Sequence, residues 1–216
     1  MAARDADGEG MGPLGPPEPA AAPDGFSLAW SSLRREVETC TRCPLHRSRT
    51  HAVFYRGGAR PRLVVVGEAP GAEEDRRGLP FVGRAGRRLD TALAALGLSE
   101  EEVGILNVLK CRPPGNRFVP AAARSCRPYL DRQLAILDPP RLVSLGARAL
   151  AALDPGAPPI LRCAGQPRRA LGRPLFPLVH PAAIRSRALA RRWQDDLAAL
   201  GSWLDGPSDG TTREPL

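Results

Sequence analysis

Asn107-Val108-Leu109-Lys110-Cys111-Arg112-Pro113-Pro114-Gly115-Asn116-Arg117 decides how this chain is read. The apolar run over residues 103–109 has the length of a short buried strand, and the Pro-Pro-Gly beyond it must turn. Asn107 therefore falls near the carboxyl end of a strand, the edge at which open α/β sheets place their ligands. One segment thus holds an amide that can both donate and accept, a thiol, and several cations.

Outward from this segment, strands and helices alternate. Leu63-Val64-Val65-Val66 reads as a buried strand followed by a Gly/Pro loop, and Leu89, Leu93 and Leu96 mark a helix over about residues 86–96. The strand near Ile105 passes through the Pro-rich turn to a helix over 121–137. A strand over 141–145 pairs with a helix over 147–153. A last strand over 175–179 precedes His180 and a closing helix marked by Leu189, Trp193, Leu197, Leu200 and Leu204. This alternation predicts an α/β fold, a three-layer α/β/α domain around a central, mostly parallel four-stranded sheet. Before it, Leu28, Trp30, Leu33 and Val37 give residues 26–39 the pattern of an amphipathic helix leading into Cys40-Thr41-Arg42-Cys43-Pro44.

At 216 residues and 43% hydrophobic content the chain can bury one sizeable core. Residues 1–25, rich in Ala, Gly and Pro, are expected to be a disordered tail, as are residues 205–216, leaving one domain over 26–204. No apolar run is long enough for a membrane span, and the amino terminus is acidic rather than basic then apolar, so the expectation is a cytoplasmic protein without membrane contact. The formal charge of +8 divides into −4 on residues 1–25, −2 on the last twelve and +14 between them. A polyanionic partner such as nucleic acid would suit that surface. Lys110 is the only lysine, however, and so complete a bias towards arginine reflects genome composition as readily as selection, which discounts the charge as evidence.

Five cysteines in such a chain pose a choice between a metal site, a redox pair and plain burial. Cys40 and Cys43 follow a helix and precede a proline, unlike a thioredoxin-type pair, which follows a strand and opens a helix. Cys111 in the tight loop and Cys126 on the next helix could join them around one iron–sulfur cluster or one zinc, since four thiolates suit either. Cys163, with no thiol near it in sequence, reads as a small buried residue.

Gly67-Glu68-Ala69-Pro70-Gly71-Ala72-Glu73-Glu74-Asp75 follows the first strand. A charge run of this kind is commonly a solvated loop, but clustered carboxylates in a basic chain cradle phosphate poorly, which favours a catalytic carboxylate. Phe81 is either core or a stacking platform for a planar base. His180 is either a structural histidine or a catalytic one. Glu68, Asn107 and His180 all fall just beyond the carboxyl ends of parallel strands, where one crevice could hold them together.

GEAPGAEED at 67–75, GLPFVGRAG at 78–86, NVLKCRPPGNR at 107–117 and HPAAIR at 180–185, together with the four cysteines, resemble the family-4 uracil-DNA glycosylases, the iron–sulfur branch of that superfamily. The resemblance covers about residues 26–204. It implies a [4Fe-4S] cluster on Cys40, Cys43, Cys111 and Cys126, and a monofunctional enzyme that flips uracil out of single- or double-stranded DNA and hydrolyses its glycosidic bond as a monomer. It further implies that Phe81 stacks on the base and Asn107 reads it, with Gly67 and Ala69 beside them. Glu68 would serve the sugar and a water, and His180 would donate to uracil O2. Arg112, Arg117 and Arg185 would meet phosphates, and Ile184 would contribute to a wedge. Glu74 and Asp75 would orient the loop or its water. Two departures stand out. The wedge, usually two bulky aliphatics, is here Ile184 followed by Arg185, and Asn116-Arg117 replaces the histidine-bearing basic loop of the uracil-crosslinking relatives, so ordinary turnover is expected. A non-catalytic iron–sulfur DNA-binding module and a glycosylase for another damaged base are the competing readings; the joint presence of Glu68, Phe81, Asn107 and His180 argues against the first.

Overall fold

Leu63–Gly67 (β2) and Val103–Asn107 (β3) are buried at every residue. Apolar runs without polar alternation need cover on both faces, which makes these the middle of a sheet. The computed structural model describes residues 24–206, so most of the two expected tails lies outside the described residues; at the inner boundaries, the first helix begins at Asp24 and the last one ends at Asp205. Leu142–Leu145 (β4) and Arg173–Leu178 (β6) complete a parallel core in the order β3-β2-β4-β6. Two antiparallel edges extend it: Arg56–Gly57 (β1) beside β3, and Arg168–Ala170 (β5) beside β6. The sheet is therefore six-stranded and not four-stranded. The two extra strands are only two and three residues long, too short to show any hydrophobic period.

Alternate side chains of each core strand serve opposite faces. Val64, Val66, Leu106 and Leu142 pack against Asp24–Glu38 (α1), Pro120–Leu137 (α4) and Ala147–Leu153 (α5) through Leu33, Val37, Leu130, Leu134 and Leu150. Leu63, Val65, Ile105, Val143 and Phe176 pack against Arg84–Ala95 (α3) and Arg187–Asp205 (α7) through Leu89, Leu93, Trp193, Leu197 and Leu200. The three-layer expectation holds. Two short helices were not anticipated: Ala72–Arg77 (α2) and Ile160–Cys163 (α6). The first occupies the stretch that reads as an acidic loop. Its six residues carry no apolar stripe, and Glu73, Glu74 and Asp75 crowd its first turn, where negative charge complements the helix dipole.

α1 delivers Cys40 two residues past its end, and α4 carries Cys126, so the contact between these helices sets the spacing of the thiols. Leu33 is fully buried in that contact. Leu33→Ala is expected to cost about 2–5 kcal/mol in urea unfolding; an unchanged midpoint would mean that α1 is not held by this face.

Candidate active site

Gly67 and Asn107 are direct neighbours in the parallel register of β2 and β3. The ladder continues past the strand ends, with Val108 N–H donating to the Gly67 carbonyl (2.9 Å) and Leu109 N–H to that of Glu68 (3.0 Å). Asn107 is thereby fixed at 1% exposure, yet neither its Oδ1 nor its Nδ2 has a hydrogen-bond partner. Leaving such groups unpaired costs about 1–3 kcal/mol each. The protein thus presents one donor and one acceptor side by side, held ready for something else.

Gly67 lets Asn107 and Phe81 close in on the end of β2. A Cβ there would lie 2.4 Å from Asn107 Oδ1 and 2.4 and 2.5 Å from two ring carbons of Phe81, so no side chain is compatible with both. Phe81 is buried and sits at φ 55°, a left-handed conformation uncommon for a residue with a side chain. Its backbone is clamped. Arg56 Nη1 donates to its carbonyl (3.3 Å), and that carbonyl would lie 1.7 Å from a Cβ on Gly86, which must be glycine.

The carboxylates divide by what they touch. Glu74 accepts from Gly71 N–H (3.0 Å) and from Gly83 N–H (2.8 Å), fastening both ends of the segment that contains Phe81. Asp75 is buried and accepts from Thr50 N–H at 3.0 Å. Both are engaged with backbone. Glu68 is different: it is half-buried beyond β2, burial raises its pKa, and the Arg148 guanidinium opposes that rise. Arg148 stands two residues beyond Gly146, at the carboxyl end of β4, with its guanidinium 5.2 Å over the Phe118 ring. Sequence reading passed over Arg148, although its place at a strand end was the signal. Ala69 packs partly buried against Leu109 and the thiol-bearing cluster.

His180 lies two residues past β6, and its ring centroid is 5.9 Å from that of Phe81. Its Nδ1 accepts from Ala182 N–H at 3.1 Å, which places the proton of the neutral ring on Nε2. Burial lowers its pKa, against the pull of the Glu74 charge. Arg88 Nη1 secures the following turn at the Pro181 carbonyl (2.8 Å). Gly67, Phe81, Asn107 and His180 therefore form one continuous surface with Glu68 beside it. Farther out, Ile184 packs partly buried against the α3 and α7 face, and Arg185 and Arg117 are exposed. Arg112 Nε donates to Asn116 Oδ1 across the turn (2.9 Å).

Cys40, Cys43, Cys111 and Cys126 all line one cavity, together with Val37, His46, Arg49, Lys110 and Tyr129. Among the described residues no group of three or more His, Cys, Asp or Glu side chains converges on a point to hold a metal ion directly. The thiols surround a space instead. Burial raises the pKa of Cys111 and of Cys126. Opposing it, Arg49 Nη1 donates to the Cys111 sulfur at 3.2 Å, and Lys110 N–H donates to that of Cys126. Cys163 lies outside this set, its thiol directed at the Pro158 carbonyl (3.5 Å). Lys110 is fully buried at the cavity wall, and burial drives its pKa down to about 7.

The sequence pattern of the uracil DNA glycosylase superfamily matches residues 54–199. The chain is 41% identical over 178 residues to the type-4 uracil-DNA glycosylase of Thermotoga maritima, covering 80% of this chain and 93% of that protein. It is 40% identical over 191 residues to the type-4 uracil-DNA glycosylase of Pyrobaculum aerophilum, covering 80% and 94%. Similarity extends to the type-5 uracil-DNA glycosylase of Mycobacterium tuberculosis, 37% identical over 112 residues and covering 45% and 40%.

Because only a hydrogen fits on Gly67, Gly67→Ala is expected to weaken the binding of a free pyrimidine by roughly 10- to 200-fold, the effect of one methyl in a close pocket. Titration calorimetry measures it; unchanged affinity would place the ring somewhere other than between Phe81 and Asn107.

Proposed function

The chain belongs to the uracil DNA glycosylase superfamily, and we propose that it is a monofunctional, iron–sulfur uracil-DNA glycosylase that starts base-excision repair. The relatives that align with nearly their whole length to it are type-4 uracil-DNA glycosylases. The observation that carries the reading is the buried Asn107 amide with both polar atoms unpaired beside the Phe81 ring.

A base stacked in a duplex hides its glycosidic bond, so the nucleotide must rotate out into the pocket. Uracil would lie against Phe81 with N3–H donating to Asn107 Oδ1 and O4 accepting from Nδ2. Cytosine would set its bare N3 against Oδ1 and its amino group against Nδ2, burying two mismatched pairs. As the bond breaks, the sugar gains positive charge and the leaving uracil negative charge. The Glu68 carboxylate would face the first and orient the attacking water. His180 would face the second, its Nε2–H directed to uracil O2. A neutral ring suffices because it donates a hydrogen bond and keeps its proton. Arg112, Arg117 and Arg185 would meet phosphates and Ile184 would fill the vacated stack, with binding that weakens as salt rises.

The thiols support a [4Fe-4S] cluster on Cys40, Cys43, Cys111 and Cys126. Four sulfurs around a space, three of them receiving N–H donors, suit a cluster whose bonds are spread over several irons. When bound, the cluster supplies a cross-link between the end of α1, the loop after Asn107, and α4. No helix among the described residues is long and apolar enough to cross a membrane. Among them, the exposed large hydrophobic residues Leu28, Leu161 and Leu171 are scattered in the sequence. A cytoplasmic monomer acting on DNA fits these surfaces.

Incubation with a uracil-containing oligonucleotide followed by alkali should yield strand breaks, and none from the cytosine-containing control; intact holoprotein without cleavage would sink the reading. Catalysis requires Glu68 ionised and His180 neutral. Burial holds the Glu68 pKa above the ordinary value of about 4.3 and the His180 pKa below the ordinary value of about 6.5. The single-turnover rate should thus fall as acid protonates either group, Glu68 at a pH above the ordinary carboxylate range and His180 at one below the ordinary imidazole range. Arg148→Ala removes the cation that favours ionised Glu68, so its acid limb should move to higher pH. A limb that stays in place would remove Glu68 from this role.

A further inference from the structure

Lys110 is the sole lysine among the 31 Lys and Arg residues of the chain, and it is also among its largest fully buried side chains. A composition that turns basic positions into arginine kept lysine at the one place where a compact ammonium is enclosed. A planar guanidinium is larger, with its donors in a fixed fork, and is not equivalent to it there. Nζ donates to the Asn107 carbonyl at 2.5 Å. The same residue lines the thiol cavity, gives its N–H to the Cys126 sulfur, and accepts from Val53 N–H at 2.7 Å through its carbonyl. The side chain thus lies away from water, with the wall of the thiol-lined cavity on one side and the Asn107 carbonyl on the other. Four thiolates around an iron–sulfur core would provide a net negative charge against which it rests.

We propose that Lys110 is a positioning residue that couples the two sites, its ammonium braced by the anionic cluster on one side and fixing the Asn107 carbonyl, and so the orientation of the base-reading amide, on the other. This rests on the cluster reading above. Two adjacent features of one loop then become a single device: the cluster site holds the lysine in place, and the lysine sets the geometry with which uracil is distinguished from cytosine. Lys110 touches no reacting atom.

The test begins with iron and inorganic sulfide in the wild-type holoprotein. Their absence from active protein would sink the cluster reading and, with it, the partner proposed for Lys110. In loaded protein, Lys110→Met keeps the length of the chain and deletes the charge. Expected are an intact cluster content, a reduction potential shifted to more negative values, and binding of free uracil weaker by roughly 10- to 100-fold, as for a small misplacement of a positioned group. Unchanged uracil binding, with or without a shifted potential, overturns the coupling. If K110M does not accumulate as holoprotein, the wild type decides: 15N-lysine labelling gives a single side-chain signal. An ammonium protected from exchange that shifts when uracil enters supports the proposal, and one that exchanges freely or ignores uracil overturns it.

Discussion

The unpaired Asn107 amide is costly in the free protein, since its donor and acceptor are removed from water without replacement. Such an arrangement persists only where the surroundings leave the side chain no alternative. Those surroundings are backbone and one aromatic ring. The β2–β3 register sets Gly67 beside Asn107, the ladder carries on through Val108 and Leu109, and the Phe81 ring closes the remaining side. A ligand that presents complementary groups recovers the lost hydrogen bonds, and one that presents the wrong groups recovers nothing. On the proposed reading, selectivity is stored in the resting protein as an unmet requirement.

Holding that requirement in place occupies much of the polar inventory around it. Glu74 fastens the segment bearing Phe81 at both ends, Arg56 and Gly86 clamp its carbonyl, and Arg88 secures the turn after His180. Across the loop, Arg49 joins the end of α1 to Cys111 through the Glu38 carbonyl (2.5 Å) and the thiol. Charged side chains here act mainly as fasteners of backbone, and on the proposed reading Glu68 is the carboxylate among them that faces substrate. Its neighbour Arg148 opposes the rise in pKa that burial causes.

The parallel core was legible because its strands are dense apolar runs and its helices carry clear stripes; Leu63 to Val66 and the Leu189–Leu204 series needed no structure to place them. The strand-end positions of Glu68, Asn107 and His180 were legible for the same reason. The edge strands β1 and β5 were not, since two or three half-exposed residues carry no period. Nor was α2, whose order comes from Glu74 and Asp75 bonding to distant backbone and not from an apolar face. Arg49, Arg56, Arg88 and Arg148 were hidden by composition: where nearly every cation is arginine, none stands out until its partner is seen. The single lysine was the opposite case, conspicuous in the sequence and explained only by its burial.

On the proposed reading, recognition rests on one amide and one ring. A crystal structure of the protein with uracil bound tests this most directly. The expected result is the uracil ring against Phe81, with N3 to Asn107 Oδ1 and O4 to Nδ2 both at about 2.7–3.2 Å. Uracil bound elsewhere, or in the pocket with the Asn107 amide still unpaired, would contradict it.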